Sequence, residues 1–192
     1  MRCRAVKIRC TWFLAVSSTV RDVKVAWVPM LKLEKITTLY SQDEDRVSLN
    51  AMDATGGTVR IWLTQRILLR LISELIKVIK PKHEDKSYVA VMAGISHQRA
   101  VDQQEPGDPV KLDCASQEWL VKKIDMKIGQ GGVILALSSQ NGEAAKLVLE
   151  LQLLRQWLGI LKGTFEAAQW NFDWPEWMMP SKPKASPSRA LH

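Results

Sequence analysis

The feature that most restricts the folds open to this chain is a pattern that occurs twice. In residues 33–63 three strand-like runs follow one another, KITTLYS, RVSLNAMD and TVRIWL. RVSLNAMD alternates, with Val47, Leu49 and Ala51 on one face and Arg46, Ser48 and Asn50 on the other; TVRIWL sets Val59, Ile61 and Leu63 the same way. A side-chain period of two marks a strand with one buried face. The connections QDED (42–45) and ATGG (54–57) carry the polar and glycine residues that tight turns need. A helix follows at once: Thr64 is the expected N-cap, and Ile67, Leu68, Leu71, Ile72, Leu75 and Ile79 recur at three- and four-residue spacing until Pro81 ends the run.

The same order returns 86 residues later. LVKKIDMKI turns Leu120, Ile124, Met126 and Ile128 inward and Lys123, Asp125 and Lys127 outward, and GQGG (129–132) stands where QDED stood. VILALSS supplies Val133, Leu135 and Leu137, QNGE (140–143) contains the Asn-Gly hairpin signal, and AKLVL matches VRIWL. The second helix carries Leu153, Leu154, Trp157, Leu158 and Leu161 at the positions of Ile67, Leu68, Leu71, Ile72 and Leu75. These runs predict an α+β fold of two pseudo-repeated β-β-β-α units, 33–80 and 118–170, forming an antiparallel sheet of six strands packed with two main helices. One unit alone exposes half a sheet and half a helix, so the two are expected to share a core within one domain, 30–180. Residues 81–117 link them; YVAVMAGISHQRAVDQQ (88–104) reads as a linker helix that EPGDP terminates.

Net charge is +7, which raises a nucleic-acid function, but the positive charge sits at the ends. Residues 1–29 carry Arg2, Arg4, Lys7, Arg9, Arg21 and Lys24 against Asp22, a net of +5, and 181–192 carry Lys182, Lys184 and Arg189, a net of +3. Subtracting both from +7 leaves −1 for 30–180, and a folded surface that neutralises phosphates shows a basic patch instead. The first 29 residues match nothing in the repeat and are read as a basic extension, either non-native, with Met30 as the start, or poorly ordered. Their apolar run, Trp12 to Val16, is shorter than the roughly 7–15 residues of a secretory core and lacks a small-residue cleavage site. The tail SKPKASPSRALH is expected to be disordered.

The 46% apolar and 24% charged composition is that of a globular protein, without the roughly 18 uninterrupted apolar residues of a membrane span. Three cysteines, Cys3, Cys10 and Cys114, show no ligand spacing and fit a reducing, cytoplasmic setting. His83, His97 and His192 have no helical partner at metal spacing, and His83-Glu84-Asp85 falls short of a ligand set. There is no nucleophile elbow and no Walker loop, and KIGQGGV joins two strands, where a phosphate loop would lead into a helix. No catalytic residues, metal or cofactor are therefore expected.

Two function classes remain. The first is a non-enzymatic interaction protein, an adaptor, assembly or regulatory factor with a protein partner. Its candidate surface comprises Trp170, Phe172, Trp174 and Trp177 of QWNFDWPEWMMP (169–180) with Arg66, Arg70 and Lys77 of the first helix. The alternative is a single-stranded nucleic-acid-binding transcription regulator. At the level of topology, paired strand-rich units each closed by a helix resemble the Whirly and PC4-type folds. Binding a single strand uses aromatic stacking platforms beside basic residues, and the candidates here are Trp62 and Trp119 on the outer sheet face with Lys123 and Lys127. Rings at alternate positions 170, 172 and 174 line one side of an extended segment; left in water they would form a large apolar patch, so this segment is expected to fold back onto the protein.

Overall fold

The computed structural model describes residues 30–80, 87–104, 107–114, 116–129 and 131–179. The expectations placed on 1–29, on His83, Glu84 and Asp85, and on the tail 181–192 lie outside the described residues. The fold is α+β, with strands β1 (Leu31–Ser41), β2 (Arg46–Asp53) and β3 (Thr58–Thr64), helices α1 (Gln65–Ile79) and α2 (Ser87–Asp102), strands β4 (Gln117–Leu120), β5 (Lys123–Gly129), β6 (Gly132–Ser138) and β7 (Ala144–Glu150), then helix α3 (Leu151–Ala167) and a short 3-10 turn, Glu176–Met178. None of the described helices is long and apolar enough to cross a membrane.

Local chemistry accounts for most boundaries. β2 occupies RVSLNAMD in full, and its turn to β3 is held by Asp53, whose carboxylate accepts from the Thr55 and Gly57 amides (both 2.8 Å). The Thr55 hydroxyl, ahead of these amides, lowers the Asp53 pKa. Gly56 takes φ +85°, the left-handed region where only glycine is free of strain. Thr64 caps α1, its hydroxyl accepting from the Ile67 amide (3.4 Å). α1 ends at Ile79, and Lys80 is already extended, as the residue before a proline must be.

The strands form one curled sheet in the order β4-β3-β2-β1-β7-β6-β5. It is mixed, which corrects the antiparallel expectation: β1 runs parallel to β7 over Leu31–Leu33, and β4 runs parallel to β3, with Ile61 opposite Trp119. Alternation tells which face a side chain takes but carries no information on which strand lies alongside or in which direction. The strand count also rises from six to seven, because the run read as one strand divides at Val121–Lys122. Val121 donates to the Trp62 carbonyl (2.9 Å) and Lys122 to the Ser138 carbonyl (2.8 Å), so β4 pairs with β3 and β5 with β6 at opposite ends of the sheet.

This step changes which residues face inward. Trp119 and Val121 are buried, whereas in β5 the inner residues are Ile124 and Met126, paired with Leu137 and Leu135. Leu120 is only half-buried, and Ile128, expected inside, is 65% exposed at the end of β5. A β-bulge between Leu33 and Lys35 shifts β1 in the same manner, from Leu31 and Leu33 inward to Ile36, Thr38 and Tyr40.

The inner face and both long helices make one core, with Leu68, Ile72 and Leu75 of α1 and Leu154, Leu158, Leu161 and Phe165 of α3 fully enclosed. The outer face is partly covered too. Ser48 and Asn50 are buried, and the connection after α2 passes nearby, with the buried Val110 donating to Thr37 (2.9 Å) and Ser116 bonded to Thr58 (2.5 Å). Leu158→Ala should destabilise the protein by about 2–5 kcal/mol in denaturant melts. Leu153→Ala, whose side chain is 49% exposed, should change stability by less than about 0.5 kcal/mol.

Candidate functional site

The aromatic segment is held by the protein's own helices. After α3, Gln169 adopts φ +56° and reverses the chain, and the Trp170 amide donates back to the Phe165 carbonyl (2.9 Å). Trp170, Phe172 and Trp174 then surround Phe165 edge-on, with centroids at 5.2, 6.1 and 5.9 Å. Such contacts align positive ring edges with negative faces. Trp170 also meets Tyr40 edge-on (5.5 Å), and its indole N–H donates to Asp45 (3.1 Å), which accepts from the Tyr40 hydroxyl as well (2.9 Å). That bond from Tyr40 to a carboxylate raises the phenol pKa. Farther on, Met178 is buried and Trp177 lies edge-on to His97 of α2 (5.7 Å). The four rings are half-buried and close the α3 side of the molecule.

The other sequence-derived candidates fall in different places. Arg66, Arg70 and Lys77 are exposed on α1, and Lys77 pairs with Glu74 (2.5 Å). Trp119 is a core residue, 6% exposed, which corrects its expected outward orientation and follows from the step at Val121–Lys122. Trp62 is half-buried on the outer face beneath Arg60, whose guanidinium lies 5.6 Å from the ring centroid. Lys123 and Lys127 share the outer face of β5 with Asp125, and Asp125 binds Lys123 (2.7 Å). The two tryptophans therefore lie on opposite faces of the sheet, and among the described residues neither stands beside the two lysines as a stacking platform.

What the fold does bring together is Arg70 and Lys123, on the rim of a groove of about 300 Å³ between α1 and β5. Ile67, Leu71, Ile124 and Met126 form its floor, and Glu74 and Lys122 complete the rim. Among the described residues β5 pairs with β6 alone, so the strand edge facing this groove is free. Alternation marks these apolar residues as core, and nothing in the sequence signals that no strand covers them.

A second pocket, of about 290 Å³, lies between α2 and α3, lined by Ser96, Arg99, Ala100, Gln103, Gln152 and Arg155. Next to it His97 is 4% exposed, and desolvation, followed by the charges of Arg155 and Lys162, pushes its pKa down to about 4. Val91, Met92 and Ile95 of α2 are exposed as well. Comparison with known protein families, curated proteins and solved structures finds no match for this chain.

Two outcomes follow from this packing. Truncation after Gln169 should lower the melting temperature by roughly 5–15 °C, the loss of four partly buried rings; an unchanged melt would contradict the aromatic packing. His97 binds its proton near pH 6.5 when unfolded but near pH 4 when folded, so between these values the unfolded state holds more protons and stability must fall as pH falls. The full loss is on the order of 3 kcal/mol. His97→Phe should flatten the slope of stability against pH across that window relative to the unaltered protein.

Proposed function

We propose that this chain is a non-enzymatic interaction protein, built from a duplicated β-β-β-α unit, that binds an extended segment of a protein partner in the groove between α1 and β5. Support for the duplication comes from pairing register. Leu31 opposite Ala145 has its counterpart in Gln117 opposite Val59, and Leu33 opposite Leu147 in Trp119 opposite Ile61; in each case the equivalent residues are 86 apart. The helices begin at Gln65 and Leu151, the same spacing. The bulge after Leu33 corresponds to the step after Leu120.

The observation that carries the function is a difference between the halves. Beside α3, the free edge of β1 is met by Trp157, whose indole donates to Thr38 (3.1 Å), and by Trp170 against Tyr40. The counterpart of Trp157 is Leu71. Tyr40 pairs with Val47, and the equivalent pair in the second half is Val133 with the exposed Ile128. No aromatic segment among the described residues covers that seam, which leaves the groove and the β5 edge available. A peptide added to a sheet edge gains backbone hydrogen bonds, and its alternate side chains fill pockets below. On the rim Arg70 and Lys122, with Lys123 bound to Asp125, outweigh the single carboxylate of Glu74, which favours acidic flanks. The protein's own covering segment has that chemistry, four rings with Asp173 and Glu176.

A labelled peptide of residues 169–179, added in trans, is a direct probe by fluorescence anisotropy. Saturable binding is expected, weakened about tenfold or more by Met126→Trp, which fills the groove. Equal binding to that variant, or none to the unaltered protein, would contradict the proposal. Retention of an oligothymidylate instead, lost steeply as salt rises, would favour the single-strand reading; that reading has less support, because Trp119 is enclosed in the core.

A further inference from the structure

We propose that the pocket between α2 and α3 binds a small phosphate monoester, with Arg99 and Arg155 gripping the phosphoryl group. The site shares no residue with the α1–β5 groove and does not depend on that groove having a partner. Among the described residues its lining contains two guanidiniums, from two helices, and no carboxylate. Neither the Arg99 nor the Arg155 guanidinium has an ion-pair or hydrogen-bond partner among the described residues, and Nη1 of Arg155 is fully enclosed without an acceptor. Burial pushes the Arg155 pKa down, so the cation sits where water does not solvate it well. A cation in that position is stabilised by a bound anion more than an exposed one would be.

The donor set selects the kind of anion. Guanidinium forks match the paired oxygens of phosphate or carboxylate. Ser96 gives its proton to the Met92 carbonyl (2.8 Å) and so offers no donor. The Gln152 amide donates to the Gln103 side-chain oxygen (3.3 Å), leaving the Gln103 amide free to donate. Two forks and a carboxamide supply more donors than one carboxylate can accept from, and they suit the three terminal oxygens of a phosphoryl group. The volume, about 290 Å³, exceeds what the phosphoryl group fills and leaves room beside Ala100 for a small organic part, at the low end of the roughly 300–1,000 Å³ of ligand pockets.

The test uses the full chain, titrated by NMR and calorimetry with inorganic phosphate, glycerol 3-phosphate and succinate at constant ionic strength. Glycerol 3-phosphate should bind saturably and more tightly than inorganic phosphate, with succinate weakest. Arg99→Gln, at an exposed position that leaves the fold intact, should weaken binding about tenfold or more, as should Arg155→Gln. Saturation should also raise the pH at which His97 titrates, because the bound anion offsets the Arg155 charge; chloride at equal ionic strength should not. Non-saturable binding, succinate equal to the monoester, an unchanged affinity in Arg99→Gln, or the same His97 response to chloride would overturn the proposal.

Discussion

Two backbone hydrogen bonds, Val121 to the Trp62 carbonyl and Lys122 to the Ser138 carbonyl, tie the ends of the sheet to one short piece of chain. Without them the meanders β1-β2-β3 and β5-β6-β7 would meet only along the three-residue parallel contact of β1 with β7. With them, the sheet curls until β3 and β6 are held by adjacent residues. The inner face then becomes a concave surface that α1 and α3 fill. Ile72 and Leu158, one from the middle of each helix, are both fully buried in it. The same step turns Trp119 inward and aligns Ile124 and Met126 with α1.

Among the described residues, curling in this way leaves two seams, since β1 and β5 each spend one edge on pairing and leave part of the other without a strand. The chain treats the seams differently. One receives Trp157 and the aromatic segment after α3, including a hydrogen bond from Trp170 to the β1–β2 turn at Asp45. The other has aliphatic residues beneath a basic rim. An apolar floor beside unpaired strand edge is a form that proteins normally cover or charge; here Lys123 and Lys127 charge it without covering it.

Much of the architecture could be read from side-chain periodicity. The limits of β2, the Thr64 cap, the end of α1 before Pro81 and most of the buried set of both long helices are local consequences of residue type, although Leu153, expected on the buried face of α3, is 49% exposed. Strand neighbours and direction were not legible, because parallel pairing at Leu31–Leu33 and Gln117–Leu120 leaves no mark in a pattern of period two. The inversion at Val121–Lys122 was hidden for the same reason, and it decides whether Trp119 belongs to the core or to a nucleic-acid surface. Of the candidate site, the fold-back of the rings was legible from their apolar area. The pairing of Arg70 with Lys123, and of Arg99 with Arg155, depends on which elements become neighbours and so was not.

Closure of the sheet is the premise on which the core, the two seams and the orientation of Trp119 all rest, and amide hydrogen exchange measures it residue by residue. The amides of Val121 and Lys122 should exchange only through global opening, with the same free energy as the slowest amides of β2, a strand paired along both edges. Exchange at those two positions that is fast while β2 stays protected would mean that the sheet ends are not joined, and would contradict the account.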